Sequence, residues 1–141
     1  MLEIIMIKKI AHVCIAALNL AEVEKFYCAG LGFEKAFDFI RDGKVFGFYL
    51  KTADNSFIEV FRQDTLPVNE NCVIRHICLE TDDLDQLARH LKKLGYEVTD
   101  KRLGADRSWQ IWVTDPSGVK IEFHQYTPES SQVTGKNCIL S

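Results

Sequence analysis

The chain has 141 residues, of which 47% are hydrophobic and 26% charged, enough for one globular domain or two very small ones that share a core. A formal net charge of -3 gives no general attraction to nucleic acid or to an anionic membrane surface. No apolar run reaches the roughly 18 residues of a spanning helix, and the apolar stretch from Met1 to Ile10 lacks a small-residue cleavage site. Five cysteines, none spaced C-x-x-C, argue against a disulfide scaffold or a zinc knuckle and fit a reducing cytoplasm.

From Ile7 to Ala16 the residues alternate, with Ile10, His12, Cys14 and Ala16 on one face, which predicts a strand. Cys14, like Cys78 later, is expected to be a small buried apolar group. Asn19 with Glu22 three residues on predicts a helix N-cap and capping box. Leu20, Val23, Phe26 and Tyr27 supply its buried face, and Gly30 and Gly32 its stop. After Leu31-Gly32-Phe33, turn signals at Asp42-Gly43 and Asp54-Asn55 divide three further strands that end near Arg62.

Residues 63–72 are polar, contain Pro67 and read as a linker. The pattern then restarts. Ile74, His76, Cys78 and Glu80 alternate, Asp82 or Asp83 caps a helix from Leu84 to Leu94, and Leu94-Gly95-Tyr96 mirrors Leu31-Gly32-Phe33. Asp115-Pro116-Ser117-Gly118 turns the chain into a last strand, Val119 to Gln125. His76 follows His12 by 64 residues, whereas Gly95 follows Gly32, and Glu122 follows Glu59, by 63. The chain is therefore two copies of one βαβββ unit, 7–62 and 73–126, with a one-residue slip in the helix and a flexible tail, 127–141.

Each copy offers a histidine on its first strand and a glutamate on its last. Glu59 and Glu122 stand in apolar strands, where an ionised carboxylate is costly unless it is paired or bound to a metal. Two imidazoles and two carboxylates, His12, Glu59, His76 and Glu122, suit one divalent first-row ion such as zinc, nickel, cobalt, manganese or iron(II). His124 shares a strand face with Glu122 and is a candidate to support it. His90 lies among charges on a helix and reads as solvent-exposed.

Ile10-Ala11-His12-Val13, Phe26-Tyr27 leading to Leu31-Gly32-Phe33, Ile58-Glu59-Val60, Arg75-His76-Ile77, and Asp115-Pro116-Ser117-Gly118 with Ile121-Glu122-Phe123 together resemble the vicinal oxygen chelate family. The family includes glyoxalase I, methylmalonyl-CoA epimerase, extradiol dioxygenases, and the fosfomycin and bleomycin resistance proteins. The resemblance implies an α+β fold, with paired βαβββ modules forming a curled mixed sheet around the metal. With glutamate at Glu59 and Glu122 and histidine at His12 and His76, the ligand pattern looks most like bacterial glyoxalase I. That implies a metal-dependent lyase acting on a 2-oxoaldehyde–thiol hemithioacetal through an enediolate that the metal stabilises. Glu122, with Glu59 as its symmetry mate, would be the catalytic base.

Such enzymes resemble one another in an arginine four residues after the first histidine and an asparagine four after the first glutamate, which help to hold glutathione. Here those places hold Ala16 and Gln63, which argues against glutathione as the thiol; Arg62, Arg75, Arg102 and Arg107 are the other cations to weigh. The alternatives are an epimerase or dioxygenase in the same cup, or a metal-free sequestering protein lined by Trp109, Trp112, Phe46 and Phe48. The expected partners are a small-molecule substrate and a second copy in a homodimer, with no nucleic acid and no membrane. The terminal Cys138-Ile139-Leu140-Ser141 matches a prenylation box, read here as an unmodified tail.

Overall fold

The computed structural model describes residues 6, 8–66 and 72–140. Residues 67–71 of the expected linker, Ile7 at the start of the first expected module, Met1 to Ile5, and Ser141 of the terminal box lie outside the described residues. The chain divides into two compact units, Met1–Leu66 and Pro67–Ser141.

The first unit runs β1 (His12–Ala17), α1 (Leu20–Glu24), a π-helical turn (Lys25–Gly30), β2 (Glu34–Arg41), β3 (Lys44–Lys51) and β4 (Phe57–Arg62). Asn19 caps α1, its side-chain oxygen accepting from the Glu22 amide at 3.2 Å. Asp42 and Gly43 both take positive φ, 51° and 72°, which suits the tight turn between β2 and β3. The sheet order is β1-β4-β3-β2, with β1 parallel to β4 and the other pairs antiparallel. Alternation gives the sheet a covered and an open face. Ile15, Ala17, Phe48, Leu50, Ile58 and Val60 are buried with Val23, Phe26 and Tyr27 of the helical segment.

The second unit repeats this order: β5 (Ile77–Glu80), α2 (Leu84–Lys93), β6 (Arg102–Leu103), β7 (Trp109–Thr114) and β8 (Lys120–Gln125), with sheet order β5-β8-β7-β6. Asp83 caps α2 by accepting from the Gln86 amide at 3.0 Å. Leu84, Leu91, Ile111, Val113, Ile121 and Phe123 are its buried apolar set. The Asp115 carboxylate accepts from the Ser117 and Val119 amides, both at 2.8 Å, and so fixes the turn into β8.

The one-residue slip between the copies has a structural counterpart. From the caps Asn19 and Asp83 to the glycines Gly32 and Gly95, the first unit has one residue more. It is absorbed in the π-helical turn, where the Leu31 amide reaches back five residues to the Phe26 carbonyl at 3.1 Å.

Two expectations are corrected. Cys14 and Cys78 are exposed rather than buried, because they share the open face with the histidines. The segment from Thr127 does not begin as a free extension. Its first part forms α3 (Ser131–Thr134) and is bonded to the loop before β7. Ser131 donates its amide to the Asp106 carbonyl at 2.8 Å, and the buried hydroxyls of Ser108 and Ser130 bond at 2.9 Å.

The turn between β3 and β4 makes a pH-dependent contribution. The Asp54 carboxylate accepts from the hydroxyls of Thr52 at 2.6 Å and Ser56 at 2.7 Å, and from the Ser56 amide at 3.1 Å. Led by the Thr52 bond, these hold its pKa at about 2, below the ordinary 3.8. A carboxyl depressed on folding stabilises the fold while ionised. The contribution is therefore present above the unfolded value and fades as pH falls through the folded one. An NMR titration should find the Asp54 midpoint near 2, and a midpoint near 3.8 would show that the turn does not hold the charge.

Candidate metal centre

Each unit brings its own histidine and glutamate together. In the first, parallel register sets Cys14 of β1 beside Glu59 of β4, and His12 lies two residues earlier on the same face. His12 Nε2 is 3.8 Å from Glu59 Oε1. From the other side, Tyr49 of β3 is in register with Glu59, and its hydroxyl lies 3.1 Å from His12 Nδ1. The Tyr49 ring is stacked between Phe37 and Phe57, at 4.8 Å from each. A rigid phenol thus engages one imidazole nitrogen and leaves the other toward the carboxylate.

The second unit repeats the frame. Cys78 of β5 is in register with Glu122 of β8, and His76 Nε2 lies 3.8 Å from Glu122 Oε1. Trp112 takes the place of Tyr49 and meets the His76 ring edge-on, at 4.8 Å between centroids. His124, two residues beyond Glu122, is buried and contacts Glu122 Oε1 through Nε2 at 2.9 Å. His90 is exposed, as expected. The four expected ligands therefore fall as two pairs, one to each unit.

Each pair is narrow enough to share an ion. Ligand atoms about 2.1 Å from one ion lie at most about 4.2 Å apart, and both pairs stand at 3.8 Å. The glutamates are partly shielded, with 19% and 13% of their side-chain surface exposed, while the histidines, at 41% and 40%, remain open to an incoming ion.

The cysteines are the residues whose place sequence reasoning missed. Each thiol hydrogen-bonds the glutamate beside it. Although both thiols are exposed, packing against the sheet partly desolvates them: this raises the Cys14 pKa, with the Glu59 bond and charge adding to it, and together with the Glu122 charge pushes Cys78 up to about 12. The period-2 pattern already placed them with the histidines, and that signal was enough to find them. Tyr49 carried no comparable signal.

Tyr49→Phe removes the bond to His12 while keeping the ring stack. On a site held by His12, metal affinity should fall about 10- to 100-fold with an unchanged far-ultraviolet spectrum. Unchanged affinity by isothermal titration would deny Tyr49 any orienting part.

Residues 9–123 match the family model described as the Glyoxalase/Bleomycin resistance protein/Dioxygenase superfamily, and the chain belongs to that superfamily. No curated protein matches it. Among solved structures it is similar to a glyoxalase family protein from Enterococcus faecalis, at 25% identity and a TM-score of 0.73, over 85% of this chain and 99% of that one. It also resembles the lactoylglutathione lyase of Agrobacterium tumefaciens, at 19% identity and 0.64, over 84% and 94%. A third likeness is a glutamate-to-glutamine mutant of a genomically encoded fosfomycin resistance protein from Listeria monocytogenes, at 20% identity and 0.70, over 88% and 97%. That protein is complexed with Mn(II) and 1S,2S-dihydroxypropylphosphonic acid. The two βαβββ units are the modules of the vicinal oxygen chelate fold.

Proposed function

We propose that the chain is a glyoxalase I-like metalloenzyme, with His12, Glu59, His76 and Glu122 as ligands of one divalent ion, nickel or zinc by preference. The observation that carries this is the recurrence of one His–Glu pair, at 3.8 Å, in equivalent strand positions of both units. A divalent ion there supplies Lewis-acid stabilisation of negative charge on two adjacent substrate oxygens.

The chain's own groups do the rest. Glu122, with Glu59 as its counterpart, takes the proton from the carbon that bears sulfur and returns it to the neighbouring carbonyl carbon. A hemithioacetal thereby becomes a 2-hydroxyacyl thioester with no external oxidant or reductant. His12, oriented by Tyr49, and His76 hold their positions through the proton shift. The Phe37, Phe39, Tyr49, Phe57 and Phe61 cluster beside His12 and Glu59 favours an apolar substituent on the aldehyde. With Ala16 and Gln63 in place of the expected arginine and asparagine, a thiol smaller than glutathione belongs to the same reading.

Metal content of the purified protein is the first test. The second is turnover of methylglyoxal hemithioacetals made with glutathione and with smaller thiols, at several metals. Thioester formation that a chelator abolishes and a metal restores supports the proposal; a protein that takes up no divalent ion overturns it. A metal-free binding module is the second reading, favoured by the same aromatic cluster, and tight binding of an apolar ligand without metal uptake would establish it. Cytoplasmic residence and a homodimer complete the proposal, the latter to be read by sedimentation equilibrium. Among the described residues, no helix is long and apolar enough to cross a membrane.

A further inference from the structure

We propose that Cys78, Glu122 and His124 form a binding site for one thiophilic divalent cation, zinc-like in its preferences, built entirely within the second unit. Their ligand atoms, Sγ, a carboxylate oxygen and an imidazole nitrogen, all lie within 4.8 Å of one another. The strands impose the convergence. Cys78 and Glu122 are in register on β5 and β8, and His124 stands two residues beyond Glu122 on the same face. His124 Nε2 already aims at Glu122 Oε1, 2.9 Å away, and the ring is held edge-on against Tyr126 at 5.8 Å between centroids.

The donor set has the chemistry of zinc. Thiolate, carboxylate and imidazole are each ordinary zinc ligands, and two donors on one ion lie at most about 4.4 Å apart when one is sulfur. At tetrahedral angles sulfur stands about 3.6 Å from a nitrogen or oxygen on the same ion, so side-chain rotations that close the group by about 1 Å bring all three onto one ion. One thiolate and one carboxylate balance a divalent charge, so a partly buried ion carries no net charge into the sheet. The thiol proton leaves to solvent when the ion enters. A fourth position stays open to water.

The first unit serves as an internal control. It has Cys14 and Glu59 in the equivalent strand positions, but Phe61 stands where the second unit has His124, so one donor is missing. The inference does not rest on the ligand set proposed above, since it uses no residue of the first unit, although Glu122 belongs to both.

The experiment is an anaerobic titration of the reduced full chain with cobalt(II) alone, read by the thiolate-to-cobalt charge-transfer band in the near ultraviolet. One thiolate-bound cobalt per chain is expected. Cys78→Ser should abolish the band, and His124→Gln should weaken cobalt binding at least ~10-fold. Cys14→Ser and His12→Ala should leave the band in place. No band in the unaltered protein, a band that survives Cys78→Ser, one lost in Cys14→Ser, or His124→Gln with unchanged affinity would each overturn the proposal. Failure of the enzymatic reading shows separately, as absence of thioester formation whatever the band does.

Discussion

Replacing Glu122 by glutamine should lower turnover of a hemithioacetal substrate by about 10²- to 10⁴-fold, the usual contribution of a positioned base. Glutamine keeps the volume and a hydrogen-bond acceptor for His124, so the contact at Glu122 Oε1 survives while the charge and the basic oxygen are lost. Glu59→Gln should fall in the same range, because Glu59 occupies the equivalent strand position at the same distance from its own histidine. If the two carboxylates act as one unit, the double variant will be no slower than the slower single variant. Steady-state kinetics with metal content measured on each sample separates a lost ligand from a lost base. Should either single variant, fully metal-loaded, keep more than half the turnover, that carboxylate is not the base.

Much of this frame was legible in the sequence because it is written twice. A period-2 strand, a capped helix and a Leu-Gly-aromatic stop recur at a near-constant offset, and both copies fold to the same strand order. The His–Glu pairing followed from alternation alone, since residues two apart in a strand share a face. The one-residue slip was visible as well, but its form was not. An extra residue in a helix can be shed into a loop or absorbed as a π-helical turn, and the hydrogen bonds around Leu31 decide it.

What sequence reasoning got wrong concerned context beyond the single strand. Cys14 and Cys78 look apolar, and a small apolar residue in a strand is expected to be buried. Their faces, however, are set by the histidines two residues before them, and the helical segments cover the opposite face. The residues after Thr127 are polar and aperiodic, which suggests a loose tail. Ser130 nonetheless is buried, because its hydroxyl bonds Ser108 and accepts from the Thr127 amide at 2.8 Å. Such long-range polar pairs leave no periodic trace.

Gly47 also left no signal, and it supports the largest stability prediction. It lies in β3, in register with Phe61 of β4 and Phe39 of β2. A Cβ added there would run into the Val60 carbonyl oxygen, would come within 2.9 Å of Phe61 Cδ1 and within 3.2 Å of the Phe61 Cα. Two of these are backbone atoms of the neighbouring strand and cannot swing aside, so Gly47→Ala must spread β3 from β4 or bend one of them. That strains the sheet which holds Tyr49 against His12 and Phe39 against Phe61, the latter at 4.7 Å. Overpacking of this kind costs about 1–3 kcal/mol, expected as a lower urea midpoint and faster amide exchange along β3. Gly104→Ala is the control: there the nearest atoms are Gln110 Nε2 at 2.7 Å and Asp106 Oδ1 at 2.8 Å, both side-chain ends that can move. An unchanged midpoint for Gly47→Ala would mean that the strands separate freely at this point, and the first unit's aromatic face would then be softer than its stacking implies.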